Sequence, residues 1–107
     1  MTDKLLVVVL STAGSEAEAR KIADALVERR LAACINIIPR IQSVYRWEGK
    51  IERAEEYLLL IKTVKPRLTE ICATIKDLHS YETPECIAVV IDGGSAEYMK
   101  WIADCVQ

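Results

Sequence analysis

The chain carries one histidine, His79, and four cysteines, Cys34, Cys72, Cys86 and Cys105, and these set the range of chemistry open to it. One histidine excludes a multi-histidine metal site within a single chain, whereas copies packed side by side can pool theirs. Imidazole, carboxylate and thiolate together suit copper or zinc. The candidate metal ligands are therefore His79, Glu85 and Cys34, with Cys34 reaching the cleft of a neighbouring copy. The competing roles are structural: His79 closing a helix, Glu85 paired with Lys62, and Cys34 as a small core residue. Asn36, Lys62 and Thr63 are polar positions among apolar strand residues, which costs free energy unless they find partners. With Tyr81 they are the candidate small-ligand pocket, or else a hydrogen-bond network that fixes how copies pack. Cys34 and His79 are also the pair a Cys-His nucleophile would use, but nothing in the sequence joins them, and no enzymatic activity is expected.

These residues hang on a single domain spanning 1–107. With 51% hydrophobic residues it has the material for a core without staples. The cysteines show no paired spacing and sit inside apolar patterns, so all four are expected to be reduced thiols. The net charge of -2, from 14 basic and 16 acidic residues, offers no footprint for nucleic acid or an anionic membrane. No apolar run approaches a membrane span, and Met1-Thr2-Asp3 does not start a signal peptide, so a cytoplasmic protein is expected.

Lys4 to Leu10 is a continuous Leu/Val run, suited to a central strand, and it ends at Ser11-Thr12-Ala13-Gly14. Ser15 and Glu18 have capping-box spacing, and Ala19, Ile22, Ala23, Leu26 and Arg30 share one face of a helix expected over 16–31. The segment 32–63 then reads as one very long hairpin. Its odd positions from Ala33 to Trp47 are apolar almost throughout, and it turns at Trp47-Glu48-Gly49-Lys50. At about 3.3 Å per residue the strand spans roughly 45 to 50 Å, against roughly 35 Å for a domain of this size. The tip must overhang, and Ile41, Tyr45, Trp47 and Ile51 on it are expected to anchor a neighbouring copy. Pro39 belongs at an edge or a bulge of that strand.

Pro66 opens a second helix with the stripe Leu68, Ile71, Cys72, Ile75 and Leu78, ending near His79. A fourth strand is expected over 86–91. Gly93-Gly94-Ser95 then reads as a turn and cap, followed by a helix in which Tyr98, Trp101, Ile102 and Cys105 face inward. The order β-α-β-β-α-β-α in so short a domain points to an α+β, ferredoxin-like split β-α-β sandwich with an antiparallel sheet, strands one and three central.

The stretches LAACINIIPRIQSVYRWEGKIERAEEYLLLIKT, HSYETPE and GSAEYMKWI, with a first strand ending in STA, resemble the CutA divalent-cation tolerance family over nearly the whole chain. The resemblance implies a homotrimer of ferredoxin-like subunits joined through the hairpin arms, and a likeness to PII signalling trimers, which bind small ligands between subunits. It implies a divalent metal, copper above all, as ligand, with no required cofactor. It also places the metal at a thiol ending the first strand and at a His-His pair before the TPE loop. Those positions are Ser11, Leu78 and His79, so two of the three carry other residues.

Rival activities of this topology lack their residues. No arginine cradle follows the first strand, as an acylphosphatase-type enzyme needs, and no Cys-x-x-Cys stands there, as a metal chaperone needs. An RNA-recognition motif would show strand aromatics and a basic surface. The expected function is a non-enzymatic trimer of divalent metal tolerance that binds metal between subunits; the alternative is a PII-like sensor or adaptor for a small ligand.

Overall fold

The computed structural model describes residues 4–107; the N-terminal Met1-Thr2-Asp3 reading lies outside them. The elements run β1 (Leu6–Ala13), α1 (Glu16–Glu28), β2 (Cys34–Trp47), β3 (Lys50–Val64), a 3-10 turn (Lys65–Arg67), α2 (Leu68–Leu78), β4 (Ile87–Val90) and α3 (Ala96–Cys105). The sheet order β2-β3-β1-β4 puts strands one and three in the centre, with antiparallel pairing throughout. This is the ferredoxin-like split β-α-β sandwich.

β1 runs on past Leu10, because Ser11, Thr12 and Ala13 find partners in Leu59, Leu58 and Tyr57 of the long β3. α1 stops three residues short of Leu31. Arg30 turns into the left-handed region at φ 58, and the Arg30 and Leu31 amides donate to the Val27 and Leu26 carbonyls, a Schellman closure without the usual glycine. Ser15 caps α1 by accepting from the Glu18 amide at 3.2 Å. The reciprocal half of the capping box is replaced, for Glu18 accepts from the Ser80 amide at 2.8 Å.

α1 and α2 cover one face of the sheet. There Val7, Val9, Ala13, Leu59 and Ile61 bury against Ile22, Leu26, Ile71 and Ile75. On the opposite face α3 covers only one end, where Leu6, Val64, Ile102 and Val106 form a smaller core. Tyr98 and Trp101 do not point inward as expected. Both are exposed, their rings 5.5 Å apart, because the inward positions fall to Ile102 and Val106. The rest of this face is open, with Ile87 and Val89 of β4 and Ile38 of β2 exposed on it.

The hairpin gives the molecule its 49 Å long axis against 25 and 22 Å across. Its turn has positive φ at both Glu48 and Gly49, the twist a two-residue hairpin loop requires. The continuous stripe expected along β2 is broken at Pro39. Ile38 pairs with Leu58 and Ile41 with Glu56, so Pro39 and Arg40 together oppose Tyr57 in a bulge, with Arg40 at φ 61. Each extra residue exchanges the two faces of a strand. Ile35 and Ile37 therefore pack toward the helices, whereas Ile41, Tyr45 and Trp47 turn to the open face beside Glu56.

One cysteine expectation fails. Cys72 of α2 and Cys86, just before β4, form a disulfide across 14 residues, while Cys34 and Cys105 are free and half-buried. The two residues meet because α2 runs back along the sheet to the place where β4 begins, a proximity that chain spacing does not display.

Candidate functional site

The face exchange at Pro39 builds the main cavity, of about 600 Å³, between the root of the arm and the 79–85 loop. Its acidic wall is Glu56, Glu82 and Glu85, its aromatic wall Tyr45, Trp47 and Tyr81, and among the described residues no Lys, Arg or His lines it. Thr12 and Ser43 complete the polar part of the lining. Glu56 is only 6% exposed. Its carboxylate accepts from the Tyr81 hydroxyl at 2.6 Å. Burial, with the Glu56 carboxylate adding to it, pushes the Tyr81 pKa upward, so the phenol stays a donor. Gly14 lets Tyr81 come this close, since a Cβ there would stand 3.1 Å from the phenol oxygen.

His79 sits behind that wall with its side chain fully buried. Its Nε2 lies 2.6 Å from the Thr12 carbonyl, and its Nδ1 accepts from the Tyr81 amide at 3.0 Å. A carbonyl only accepts and an amide N-H only donates, so the proton is on Nε2 and the Nδ1 lone pair is used. His79 thus joins the end of β1 to the loop that carries Tyr81. Glu18 stands beside it, 3.8 Å from Nδ1. Burial works to raise the Glu18 pKa but is outweighed by hydrogen bonds from Ser80 and from the Gly14 backbone, and the net shift is downward.

The other candidates scatter. Cys34 pairs with Lys62, which pairs with Val8, whereas His79 holds on to Thr12. Four residues of β1 separate the two, roughly 13 Å at 3.3 Å per residue. Glu85 is exposed at the cavity rim and has no ion pair with Lys62, whose Nζ instead meets the Tyr98 hydroxyl at 3.4 Å and its ring at 5.6 Å. Within one chain His79, Glu85 and Cys34 do not converge, and among the described residues no group of three His, Cys, Asp or Glu is placed to hold a metal. Thr63 is buried and donates to the Leu31 carbonyl at 2.6 Å, a structural bond, while Asn36 is exposed on the open face. Of the four expected pocket residues only Tyr81 lines the cavity. Of the four arm residues, Tyr45 and Trp47 line it, while Ile51 pairs with Arg46 on the opposite face of the arm.

Ser11 lies toward the helices, fully buried between Val9 and Ala13, and its hydroxyl has no partner among the described residues. Sequence reasoning passed over Glu56. It comes to the cavity because β3 sets it opposite Ile41, the first paired residue beyond the bulge.

A split β-α-β sandwich with an oversized arm, and a cavity of acids and aromatics where that arm leaves the body, defines a small ferredoxin-like protein built around a cleft. The family model for "CutA1 divalent ion tolerance protein" matches residues 7–105, and the chain belongs to that family. The Thermus thermophilus divalent-cation tolerance protein CutA is 46% identical over 91% of this chain and 94% of its own. Its solved structure superposes with a TM-score of 0.94 at 44% identity, covering 96% of this chain and all of that one. The structure of the "periplasmic divalent cation tolerance protein CutA" of Archaeoglobus fulgidus gives 0.93 at 41%, covering 96% and 100%. Relatives from Xenopus laevis and Arabidopsis thaliana, both 42% identical, are longer: the chain matches 63% and 56% of their lengths. Among the described residues, no helix is long and apolar enough to cross a membrane.

Proposed function

We propose that this protein is a non-enzymatic homotrimer of divalent metal tolerance that holds copper or zinc at the clefts between its subunits. The observation that carries the reading is Glu82 and Glu85, exposed on the rim of the cavity and without ion-pair partners among the described residues. They would supply oxygen ligands from one subunit, with the free thiol of Cys34, on the open face, supplied by a neighbour. The self-association rests on the overhanging arm and on Ile38, Ile87 and Val89, which leave the sheet face apolar and uncovered. The number three comes from the family resemblance. The non-enzymatic reading is supported by His79, whose two nitrogens are both committed to backbone groups. A cytoplasmic address belongs to this proposal, and a reducing compartment would open Cys72–Cys86.

The test is calorimetric titration of Cu(II) and Zn(II) into metal-free protein. Glu85→Gln and Cys34→Ala should each weaken binding by about tenfold, or about 1.4 kcal/mol. His79→Ala should leave affinity unchanged while costing about 2–4 kcal/mol of stability in urea, because two buried backbone groups lose their partner. Wild-type protein that takes up neither metal would overturn the reading.

A further inference from the structure

Cys72 and Cys86 are half-buried and bonded across 14 residues of chain, with their Cα atoms 5.8 Å apart. Alternation at the start of β4 puts Cys86 opposite in facing to Ile87, on the side that α1 and α2 cover, where it packs on the main core. The bond therefore lies away from the open face and from the arm. Cys34 is on the open face and Cys105 on α3, so within one chain the sheet separates both free thiols from the pair. What the bond does follows from the other ties of the stretch it closes. The first part is held without it: His79 meets the Thr12 carbonyl, the Ser80 amide donates to Glu18, Tyr81 donates to Glu56, and Lys76 donates to the Glu82 carbonyl. Beyond Glu82 these ties stop. Among the described residues no hydrogen bond involves Thr83, Pro84 or Glu85, and pairing with β1 resumes only at Ile87, opposite Leu10. Cys86 is where this stretch is pinned back to α2.

We propose that Cys72–Cys86 is a redox switch: closed, it fixes Glu85 and the start of β4 against α2, and open, it frees the stretch from Thr83 to Ile87. Its effect on metal rests on the reading above, in which Glu85 is a ligand; the motion itself does not. The reductant is a dithiol, either a Cys-x-x-Cys protein or two molecules of glutathione. One of its thiolates attacks a sulfur of the pair, the S–S bond breaks and a mixed disulfide forms, which the second thiolate then resolves. Two electrons and two protons pass to the protein, which ends with two thiols, and the reductant ends as a disulfide. Exchange with an oxidised dithiol runs the same steps backward and closes the bond. Half-exposed sulfurs admit this exchange, whereas fully buried ones resist it. A Glu85 held in place also binds a cation at lower entropic cost than a mobile one.

The test equilibrates the assembled protein in glutathione buffers running from reduced to oxidised, traps free thiols by alkylation and maps them by mass spectrometry. The Cys72 and Cys86 peptides should pass together from alkylated to disulfide-linked within that range. Amide hydrogen exchange on the two end states should then differ locally. The segment from Thr83 to Val90 should exchange at least about threefold faster in the reduced protein, with α1 and β3 unchanged. Cys72→Ser combined with Cys86→Ser holds the open state without thiols. It should reproduce the fast exchange and bind Zn(II) about threefold or more weakly than oxidised wild type. If that variant does not fold, the exchange comparison on wild type decides alone. A bond that stays closed, or never forms, at every glutathione ratio would overturn the proposal. So would exchange that rises evenly over the whole chain, the mark of a plain staple, or does not rise at all. A folded double variant with unchanged Zn(II) affinity would overturn the coupling to Glu85. Oxidised wild type that takes up no Zn(II) removes the metal reading alone, and local exchange still decides the switch.

Discussion

Ser11 shows how a single side chain can sit against the free energy of its surroundings. Its hydroxyl is fully buried on the helix side of β1 and finds no partner among the described residues, so it contributes a desolvation cost without a hydrogen bond to offset it. Ser11→Ala should raise stability by about 1 kcal/mol, read as a higher urea midpoint at unchanged slope; a lower midpoint would mean that the hydroxyl has a partner after all. Glu18 works in the opposite direction. Its pKa lies below the ordinary 4.5 in the folded protein, so its contribution is present above the unfolded value and is lost as pH falls through the lower folded one. Glu18→Gln should therefore flatten the loss of stability below pH 4.5, measured by urea unfolding across an acid series; a parallel curve would contradict the sign. Glu18 was legible in the sequence as half of a capping box, yet its true partner, the Ser80 amide, lies 62 residues away. Local pattern identifies a residue that seeks a donor, and only the fold chooses which donor it meets.

Among the elements, type and order could be read from periodicity, but ends and twists could not. The end of α1 turns on Arg30, which adopts φ 58 without being glycine, so no residue type announced the stop. Arg30→Gly should stabilise the protein by about 1 kcal/mol, since glycine enters that region without a Cβ penalty and the closing bonds are all main-chain. A thermal melt lowered by the substitution would show that the arginine side chain matters more than its backbone. The bulge at Pro39–Arg40 has the larger consequence. Pro39 marked it in the sequence, yet the strand pattern was carried through it as a single apolar face. One unpaired residue moves Ile41, Tyr45 and Trp47 from the helix side to the open side, and so turns arm residues into the wall of a cavity.

For the molecule as a whole, the decisive feature is apolar surface that one chain leaves uncovered. Ile87 and Val89 are each more than half exposed on β4, and on the arm Val44 is 63% and Ile51 58% exposed. At about 1.5–3 kcal/mol per large apolar side chain buried, covering them with further copies outweighs leaving them in water. Native mass spectrometry should show a trimer that Ile87→Asp together with Val89→Asp converts to monomer, because two charges on the packed face cannot be solvated there. A wild-type protein that stays monomeric at micromolar concentration would end the argument from the arm and the open face together.

Fold class, strand order, the length of the arm and the hairpin turn were all legible in the residues alone. Each of these follows from hydrophobic period, β-branching, a proline and a glycine, properties that act within a few residues of where they stand. Only in three dimensions does Cys72 meet Cys86, is His79 spent on Thr12 and Tyr81, do Tyr98 and Trp101 stay outside, and does Glu56 line one cavity with Tyr45 and Trp47. Such meetings depend on which residues distant elements bring together, and a one-residue bulge is enough to change them.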